Sequence, residues 1–403
     1  MKIILFDHPD IRNSLLPLTF TRPVATIRCG ILTIAEKWSH YLSQPVSFLT
    51  EEYLRPKYPF IPANENLLIN GAVLPDSILS EAVLSLKLNE GVITNGEVIA
   101  ARIAVADMDS FISHGFKLTH LKLTELPTTL IKNTWHIFHF NGEQIKKDFE
   151  ILTKGRTSGI ITDKHTIAYS PENIFVEEGV KVKASILNAE DGPIYLGKNS
   201  EIQEGAMIRG PFALGEGAVI NMGAKIRGDS TFGPYCKVGG EVANSVLFGY
   251  SNKGHDGYLG NSVIGEWCNL GADTNTSNLK NNYKSVKVWS YLKDRFEDSG
   301  LQFCGLTMGD HSKSGINTMF NTGTVVGVSA NIFGSGFPRA MVPSFSWGGA
   351  SGFTTFGLKQ AFEVAEAVMK RRGIPLEDVD KMILAHIFEL SAKNRVWERF
   401  GGY

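Results

Sequence analysis

Residues 196–238 read LGKNSEIQEGAMIRGPFALGEGAVINMGAKIRGDSTFGPYCKV, and this stretch repeats itself every six residues. One position in six is always apolar: Leu196, Ile202, Ile208, Leu214, Ile220, Ile226, Phe232 and Val238. The position four residues further on is mostly small: Ser200, Ala206, Phe212, Ala218, Ala224, Ser230 and Cys236. The same phase returns later, at Met308, Ser314, Phe320, Val326 and Ile332. This periodicity is typical of a hexapeptide β-helix.

The geometry of such a coil explains the pattern. Each hexapeptide supplies one short strand and one corner of a triangular turn, so that the aliphatic residue points inward and stacks on its copies. The small residue fits the crowded corner, and glycine relaxes the turn. A Gly-rich antiparallel sandwich would instead alternate with a period of two. We therefore predict a left-handed parallel β-helix over residues 154–350.

The flanking regions have different textures. Residues 1–153 alternate short apolar runs with helix-like stretches, which predicts an α/β domain with strands at Ile3–Phe6, Val46–Leu49 and Leu67–Ile69. Residues 351–403 show apolar residues at helical spacing. We expect these C-terminal helices to cap the open end of the β-helix, a role that requires no catalytic residue.

Composition narrows the function. In 403 residues, 40 Lys and Arg face 41 Asp and Glu, which argues against a nucleic-acid partner held by a strong positive field. No apolar run approaches the ~18 residues of a membrane span. The four cysteines are scattered and predict reduced thiols. We expect a cytoplasmic enzyme with no membrane span.

A histidine among glycines interrupts the repeat at Phe248–Gly260. His255 is suited to act as a base near neutral pH, and the alternative is a turn histidine with only hydrogen-bonding duties. A zinc-dependent carbonic anhydrase would need three histidines at one coil interface. The repeat offers only His255 and His311, because His165 lies before it, so that function is excluded.

The stretch from Arg227 to Lys284 resembles the acetyltransferase half of the GlmU-like family, bifunctional enzymes that make UDP-N-acetylglucosamine. The matching residues are His255-Asp256-Gly257-Tyr258-Leu259-Gly260, then Ile264-Gly265 through Asn269-Leu270-Gly271-Ala272, then Asn278 and Lys284. The resemblance implies that His255 takes the proton from the attacking sugar amine. It implies that Arg227 and Lys284 hold the sugar phosphate, and that Tyr258, Asn269 and Asn278 orient the sugar and the acetyl group. It also implies a homotrimer with acetyl-CoA in a groove between subunits.

The N-terminus, Phe6 to Pro23, resembles a divergent GlmU-like opening that lacks the usual Gly-rich loop. Arg12 and Arg22 are then the candidates for a triphosphate clamp, because arginine binds phosphate oxygens bidentately; the alternative for each is a surface ion pair. Magnesium would need carboxylates near the phosphates, and the sequence leaves the metal ligands unknown.

The leading function is N-acetyl transfer from acetyl-CoA to glucosamine-1-phosphate or a similar amino sugar, joined to a sugar-1-phosphate nucleotidyltransferase-like domain that uses a nucleoside triphosphate. Three departures from the family leave alternatives open. The segment Glu241–Ser245 lacks the phosphate-binding lysine that the family has there, Leu279-Lys280-Asn281 replaces the family's Tyr-Asp-Gly, and an insertion lies at about Val288–Phe303. One alternative is a hexose-1-phosphate nucleotidyltransferase, uridylyl or thymidylyl, whose β-helix serves only trimerisation. Another is a non-catalytic scaffold that binds a sugar nucleotide.

Overall fold

The computed structural model describes residues 1–116 and 120–400 and divides into two compact units. The first consists of Met1–Leu15, Thr21–Ile27 and Leu32–Asn133, and the second of Leu16–Phe20, Arg28–Ile31 and the chain from Thr134 onward. The helix Thr134–Thr153 belongs to the second compact unit. The sequence-based division at residues 153 and 350 stays a prediction.

The first unit is built on a mixed β-sheet. Its strands are β1 (Lys2–Phe6), β2 (Val46–Leu49), β3 (Glu65–Asn70), β4 (Val73–Leu74), β5 (Glu90–Thr94), β6 (Glu97–Ala104), β7 (Lys122–Glu125) and β8 (Thr129–Leu130). Six of them form one sheet in the order β2-β1-β3-β6-β5-β7, in which β1 runs parallel to both neighbours and β6 runs antiparallel to both of its own. The predicted strands are confirmed as β1, β2 and β3.

The helices of this unit begin at sequence signals. They are α1 (Pro9–Ser14), α2 (Ile34–Leu42), α3 (Ser77–Ser85) and α4 (Met108–Ser113). Thr33 and Glu36 form a capping box at the start of α2, which satisfies two backbone N–H groups. Asp76 caps α3 by accepting from the N–H of Leu79 at 2.8 Å. Short 3₁₀ turns complete this part of the chain at Val24–Thr26, Glu52–Leu54 and Val105–Asp107.

The second unit is a parallel β-helix preceded by α5 (Thr134–Thr153). Its first face consists of Ile174–Val176, Ile194–Leu196, Phe212–Leu214, Ser230–Phe232, Val246–Gly249, Val263–Glu266, Thr307–Met308, Val325–Val326 and Met341–Val342. Its second face consists of Lys181–Val182, Glu201–Ile202, Val219–Ile220, Lys237–Val238, Asn252–Lys253, Asn269–Leu270, Lys313–Ser314, Asn331–Ile332 and Ser346–Gly349, followed by Gly352–Thr355. Its third face consists of Ile167–Tyr169, Ile186–Asn188, Met207–Arg209, Lys225–Ile226, Glu241–Ala243 and Tyr258–Gly260, with the separate pair Asn275–Thr276 and Met319–Phe320.

The six-residue period determines this architecture. Each strand pairs in parallel with the strand one full coil later, as when Ile202 pairs with Ile220 and Ile220 with Val238. All the apolar positions of the repeat are buried in one continuous core. The corner residues adopt positive φ angles, both at glycines and at larger residues such as Tyr235 and Trp267. The parallel β-helix is therefore confirmed, and its left-handed sense stays a prediction.

Helix α5 packs against the coil through a polar contact. The side-chain amide of Asn141 donates to the main-chain oxygen of Asp229 at 2.8 Å and to the hydroxyl of Thr231 at 3.0 Å. Its Oδ1 accepts from the N–H of Gly30 at 2.7 Å. Because Asn141 is fully buried, these bonds satisfy an amide that would otherwise destabilise the fold.

The insertion lies between two coils and leaves their register intact. Val263 pairs with Thr307, and Thr276 pairs with Phe320, each across 44 residues of sequence. The inserted segment forms an antiparallel hairpin of Lys287–Ser290 and Arg295–Asp298. The predicted insertion at about 288–303 is therefore confirmed within a longer loop.

The C-terminal helices are α6 (Leu358–Lys370) and α7 (Asp378–Leu390), followed by 3₁₀ turns at Ala392–Asn394 and Val396–Phe400. The end of the second face is covered by the antiparallel strand Gly352–Thr355, whose Phe353 ring stacks with Trp397. Helix α7 contacts the last coil through Phe388 and Phe345. Helix α6 does more than cover this end, since it packs against the side of the coil at Trp267.

Two further expectations concern the whole chain. All four cysteines are free and buried, as expected of reduced thiols. None of the helices in the described residues combines the length and apolar character needed to cross a membrane.

Candidate active site

The second face of the β-helix carries a row of polar side chains that point outward. Lys237 pairs with Asn252, Asn252 with Asn269, and Asn269 with Lys313, each on successive strands. Neighbouring strands lie about 4.8 Å apart, so these four side chains stand side by side. The row places the predicted Asn269 directly beside Lys313 and two strands away from Lys237.

His255 lies at the corner where the second face turns into the third. Its side chain is exposed and lines a cavity on the second face. The turn is held from three sides: Asn221 Nδ2 donates to the oxygen of Gly254 at 2.7 Å, Lys253 Nζ to that of His255 at 2.6 Å, and the N–H of Asp273 to the oxygen of Asp256 at 3.1 Å. The ring is therefore presented to solvent from an anchored backbone.

Lys253 is a lysine in an apolar column of the core. It pairs with Val238 at the inward position of the coil and is 1% exposed. Burial lowers its pKa from 10.5 to about 8, while the charges of Asp256 and Asp273 act in the opposite direction. Its ammonium group returns to the turn and binds two main-chain oxygens, those of His255 and Asp256.

The cavity beside His255 has a volume of ≈ 670 Å³. Its cationic side chains are Lys237, Lys313, Arg371 and Arg372, and the described residues that line it include no Asp or Glu. Burial lowers the pKa of Lys313 from 10.5 to about 8. The remaining walls include the aromatic rings of Tyr250 and Trp267, which stack with centroids 4.2 Å apart.

Helix α6 forms one wall of this cavity. Ala365 and Met369 bury their side chains against Trp267, with Tyr250 packed against the same cluster. This packing places the end of the helix over the polar row, where the Arg372 guanidinium donates to Asn252 Oδ1 at 3.2 Å. The turn that directly follows α6 thus contributes Arg371 and Arg372 to a site whose floor is the β-helix.

A second group of predicted residues lies on the third face. Asn278 Nδ2 donates to the Tyr258 hydroxyl at 3.1 Å and to Asn261 Oδ1 at 2.7 Å. The Tyr258 N–H donates to Asn275 Oδ1 at 2.8 Å. Burial raises the pKa of Tyr258, so its hydroxyl stays protonated and able to donate to a ligand.

The two predicted phosphate-binding residues are placed differently. Arg227 is 70% exposed and pairs with Glu241 at 2.9 Å, and Glu241 is the register partner of Tyr258. Lys284 is exposed on the inserted loop, where its N–H donates to Asn282 Oδ1 at 3.1 Å. The structure therefore unites His255 with Asn269, unites Tyr258 with Asn278, and leaves Lys284 on a separate segment.

In the first unit, a polar cluster lies where β1 and β2 end. The buried Asp7 carboxylate accepts from the N–H of Val24 at 2.9 Å and from the Thr50 hydroxyl at 2.6 Å. Burial raises the pKa of Asp7, and the nearby Arg12 partly offsets this effect. The carboxyl ends of parallel strands are a common place for ligands in α/β sheets.

Both predicted phosphate-clamp arginines belong to this unit and are buried, with 4% of each exposed. The Arg12 guanidinium donates to the Tyr53 hydroxyl at 2.7 Å and lies 3.5 Å from Glu51. Burial raises the pKa of Tyr53 to about 12. Arg12 is thus held in place by protein groups rather than extended into solvent.

The described residues do not present a ready metal site. They contain no group of three or more His, Cys, Asp or Glu side chains that could hold a metal ion. Both oxygens of Asp7 already accept protein hydrogen bonds, and Asp76 caps a helix. The carboxylates of Asp7 and Asp76 therefore already have protein partners.

Sequence reasoning missed Lys237, Lys253, Lys313, Arg371 and Arg372. A signal was present for two of them: Lys237 and Lys313 each precede an inward residue, as Asn269 precedes Leu270. Candidate binding residues therefore occupy the outward positions of the second face, which leads into the His255 turn. No comparable signal marked the arginines, because their position depends on how α6 packs.

Comparison with known proteins adds a sequence relationship. Residues 3–157 match the family model described as sugar nucleotidyl transferase. The N-terminal part of the chain is therefore similar to sugar nucleotidyl transferases. A bifunctional sugar-1-phosphate nucleotidylyltransferase/acetyltransferase of Sulfurisphaera tokodaii is 36% identical over 160 residues, which is 39% of this chain and 37% of that protein. A bifunctional protein GlmU of Methanocaldococcus jannaschii is 39% identical over 87 residues, 22% of this chain and 21% of that protein.

The matched regions thus span well under half of the length of these relatives. Among solved structures, a UDP-N-acetylglucosamine acyltransferase of Arabidopsis is 14% identical with a TM-score of 0.25, over 54% of this chain and 78% of that one. At this TM-score the superposition supports no conclusion about the chain.

Proposed function

We propose that the β-helix transfers an acetyl group from acetyl-CoA to the amino group of an amino-sugar phosphate, glucosamine-1-phosphate or a close analogue. We propose that the N-terminal domain transfers the nucleotidyl group of a nucleoside triphosphate to the phosphate of a sugar 1-phosphate: a phosphate oxygen of the sugar attacks the α-phosphorus, the α–β phosphoanhydride bond breaks, and pyrophosphate leaves. The observation that carries the first proposal is His255, an exposed imidazole on an anchored turn at the edge of a cation-lined cavity.

In the proposed acetyl transfer, His255 is the only protein base that the movement of the proton requires. The sugar amine attacks the thioester carbonyl while the imidazole accepts a proton from the nitrogen. The C–N bond forms, the C–S bond breaks, and the proton passes from the imidazolium to the departing thiolate. The fixed backbone of the turn favours this step because it holds the ring in one place before the substrates arrive.

We propose that the acceptor sugar binds next to His255 on the third face of the β-helix. Tyr258 follows His255 by three residues, and its hydroxyl is already oriented by Asn278. These two groups are proposed to orient the sugar, and Asn269 the acetyl group. Arg227 and Lys284 are proposed to bind the sugar phosphate, which requires that the phosphate compete with Glu241 for Arg227.

The nucleotidyl proposal rests on the family match and on the polar cluster at the end of β1. Arg12 and Arg22 are proposed to face the triphosphate from this edge of the sheet. A buried carboxylate such as Asp7 is costly to keep, and such groups concentrate at functional sites. The nucleotide base stays open.

We also propose that the chain forms a homotrimer in the cytoplasm. A row of exposed apolar side chains, Ile167, Ile186 and Met207, runs in register along the third face. Contiguous exposed apolar surface is typical of a protein–protein contact. Light scattering coupled to size-exclusion chromatography measures the number of chains, and a monomer would contradict this assembly.

The central test follows free thiol released from acetyl-CoA in the presence of glucosamine-1-phosphate. We expect release by the native chain and a loss of about 100-fold or more in His255→Ala, the range of a general base. His165→Ala is the matched control, because His165 is also an exposed histidine of the β-helix region. Equal rates in native chain and His255→Ala would contradict the proposal.

The same preparation separates the alternatives. Pyrophosphate release from UTP or dTTP with a hexose 1-phosphate, without any thiol release, would favour a nucleotidyltransferase whose β-helix serves only assembly. Binding of a sugar nucleotide without either reaction would favour a scaffold. Both activities together are the expected result.

A further inference from the structure

The inserted hairpin of Lys287–Ser290 and Arg295–Asp298 takes no part in either proposed reaction. We propose that it is a positioning element for nucleotidyl transfer, in which Tyr291 holds Phe20 and thereby sets the segment that leads to Arg22. This inference rests on the proposed nucleotidyl function and on the assignment of Arg22 to the triphosphate. Tyr291 is a positioning residue, because its side chain acts through Phe20 and not on the substrate.

The hairpin is anchored at its base and stiffened along its strands. Val286, just before the first strand, and Val288 within it are buried, with 0% and 2% exposed. Trp289 lies directly opposite Phe296, and their rings meet edge to face with centroids 5.3 Å apart. A two-stranded hairpin alone is at best marginally stable in water, and cross-strand aromatic pairs add to its stability. The buried base and the aromatic pair therefore fix the turn that follows.

Tyr291 begins this turn and makes the contact. Its ring meets the Phe20 ring edge to face, with centroids 5.6 Å apart and ring planes at 85°. Phe20 is 3% exposed, and Leu18 and Thr19 before it are fully buried. The edge-to-face arrangement is favoured by the quadrupoles of the two rings in addition to the burial of apolar surface. The contact therefore fixes Phe20 within a buried segment.

The segment that Tyr291 holds comes from the N-terminal part of the sequence. Leu16–Phe20 belongs to the second compact unit, as Tyr291 does, although Met1–Leu15 and Thr21–Ile27 on either side belong to the first. The position of this short segment is passed along the backbone to Arg22, which follows Phe20 by two residues. The hairpin is therefore connected through the chain to a residue proposed for the nucleotidyl reaction.

Arg22 lies midway between two fixed points of the chain. On one side, Phe20 is held by Tyr291. On the other side, the N–H of Val24 donates to the Asp7 carboxylate at 2.9 Å. Because only one residue separates Arg22 from each of these points, its backbone is ordered before a triphosphate binds. Loss of the Tyr291 contact removes one fixed point, and binding must then supply the free energy that orders the segment.

The contact depends on the ring of Tyr291 and not on its hydroxyl. The hydroxyl is buried, and among the described residues it has no hydrogen-bond partner. Burial raises the pKa of Tyr291, so the hydroxyl stays neutral. Tyr291→Phe should therefore keep the contact with Phe20, and Tyr291→Ala should lose it.

The test is Tyr291→Ala in the full-length chain, titrated calorimetrically with UTP and dTTP and assayed for pyrophosphate release with a hexose 1-phosphate. We expect the affinity for the triphosphate to fall about tenfold and its KM to rise by the same factor, since ordering a residue on binding costs on this scale. The kcat should change much less, and thiol release from acetyl-CoA should not change. Tyr291→Phe should restore the native values.

Tyr283→Ala is the matched control, because it is the same substitution at a 66% exposed tyrosine of the same inserted loop. Amide hydrogen exchange adds a readout that does not depend on catalysis. In Tyr291→Ala we expect the amides of residues 18–22 to exchange about tenfold faster, while those of α2 (Ile34–Leu42) keep their native rates. Tyr291→Phe and Tyr283→Ala should exchange as the native chain does.

The outcomes separate this inference from the proposed function. If either triphosphate affinity or amide exchange is unchanged in folded Tyr291→Ala, the inference is overturned, even where nucleotidyl transfer is observed. Weaker triphosphate binding and faster exchange, with no pyrophosphate release by the native chain, support the inference and contradict the proposed reaction. Equal losses of nucleotidyl and acetyl transfer overturn the inference, because they indicate a general loss of structure. If Tyr291→Ala does not fold, Phe20→Leu removes the ring pair, keeps an apolar side chain and gives the same readouts.

Discussion

Lys253 Nζ donates to the main-chain oxygen of His255 at 2.6 Å from inside the β-helix. The contact joins an inward position of the coil to the turn that carries the candidate base. A lysine in an apolar column is costly in free energy, because its charge leaves water. Its role in holding the turn offers a reason for its presence there.

We first predict that Lys253→Met lowers kcat for acetyl transfer by about tenfold or more while the fold is retained. The reason is that a displaced base slows the chemical step more than it weakens substrate binding. The KM values should change much less than kcat. Steady-state kinetics measures both. Lys183→Met, at an exposed lysine of an earlier coil, is the control and should behave as the native chain does.

The same substitution should change how stability depends on pH. The pKa of Lys253 falls from 10.5 to about 8 in the folded chain, so between these values the unfolded chain holds more of this proton. The contribution of Lys253 to the free energy of unfolding therefore rises as the pH increases from about 8 to 10.5. Below about pH 8 the cost of burying the charged lysine is fully present. Denaturant unfolding at about pH 7 and about pH 10 should show the native chain gaining stability relative to Lys253→Met. A difference independent of pH would contradict this assignment.

The second prediction concerns Gly240, which lies against the His255 turn. Its φ is +71°, and a Cβ there would lie 2.8 Å from the oxygen of His255 and 2.9 Å from Lys253 Nζ. Gly240→Ala should lower the free energy of unfolding by about 2–4 kcal/mol, because backbone strain and a clash add. Gly223→Ala is a matched control: φ is +70° there, and a Cβ would meet no atom within 4 Å.

Gly223→Ala should cost only the backbone strain, about 1–2 kcal/mol. Chemical denaturation measures both variants. Equal losses at the two glycines would mean that the close approach to the His255 turn is not important for stability.

The third prediction concerns acceptor binding. Tyr258→Phe removes the hydroxyl that Asn278 orients, and loss of one hydrogen bond should raise KM for the sugar phosphate about fivefold. The KM for acetyl-CoA should stay unchanged, which distinguishes an acceptor contact from a general loss of structure. Tyr283→Phe, at a 66% exposed tyrosine of the inserted loop, is the control. An equal effect on both KM values would argue against the assignment.

The fourth prediction concerns stability at the beginning of the β-helix. Glu177 is 7% exposed at its side chain and accepts from Arg156 and from the Tyr195 hydroxyl, each at 2.7 Å. The hydrogen bond from Arg156 lowers the pKa of Glu177 below 4.5, against the effect of burial. Glu177→Gln should lower the free energy of unfolding by about 1–3 kcal/mol near neutral pH.

Because the folded pKa is lowered, the carboxylate contributes its full stability above about pH 4.5 and loses it as the pH falls through the folded value. The difference between the native chain and Glu177→Gln should therefore shrink in acid. Urea unfolding at several pH values measures it. Glu178→Gln, at the exposed neighbouring residue, is the matched control.

The β-helix was predictable from sequence because its determinants are local. Whether Ile220 points inward depends on its position within its own hexapeptide, and this position is visible in the chain. Even Phe212, which breaks the small-residue rule, is buried, with its ring edge-to-face to Phe232 at 5.3 Å. The repeat therefore tolerates one large corner residue when a neighbouring coil makes room.

The cavity was not predictable because it depends on contacts distant in sequence. Trp267 and Ala365 lie in one cluster, although almost a hundred residues separate them. Helical periodicity shows that α6 has an apolar face, but it does not identify the surface that this face covers. Lys253 was missed for a related reason: a charged residue at an inward position reads as an interruption until its hydrogen-bonding partner is seen.

The coil resumes its register after the inserted hairpin, with Val263 directly beside Thr307. Length changes in that excursion therefore leave the stacked core untouched, since the two flanking turns already fit together without it. The inserted loop can therefore change in sequence while the β-helix core keeps its structure. In proteins with this architecture, we expect differences in acceptor preference to be found in the inserted loop, while the β-helix core stays the same.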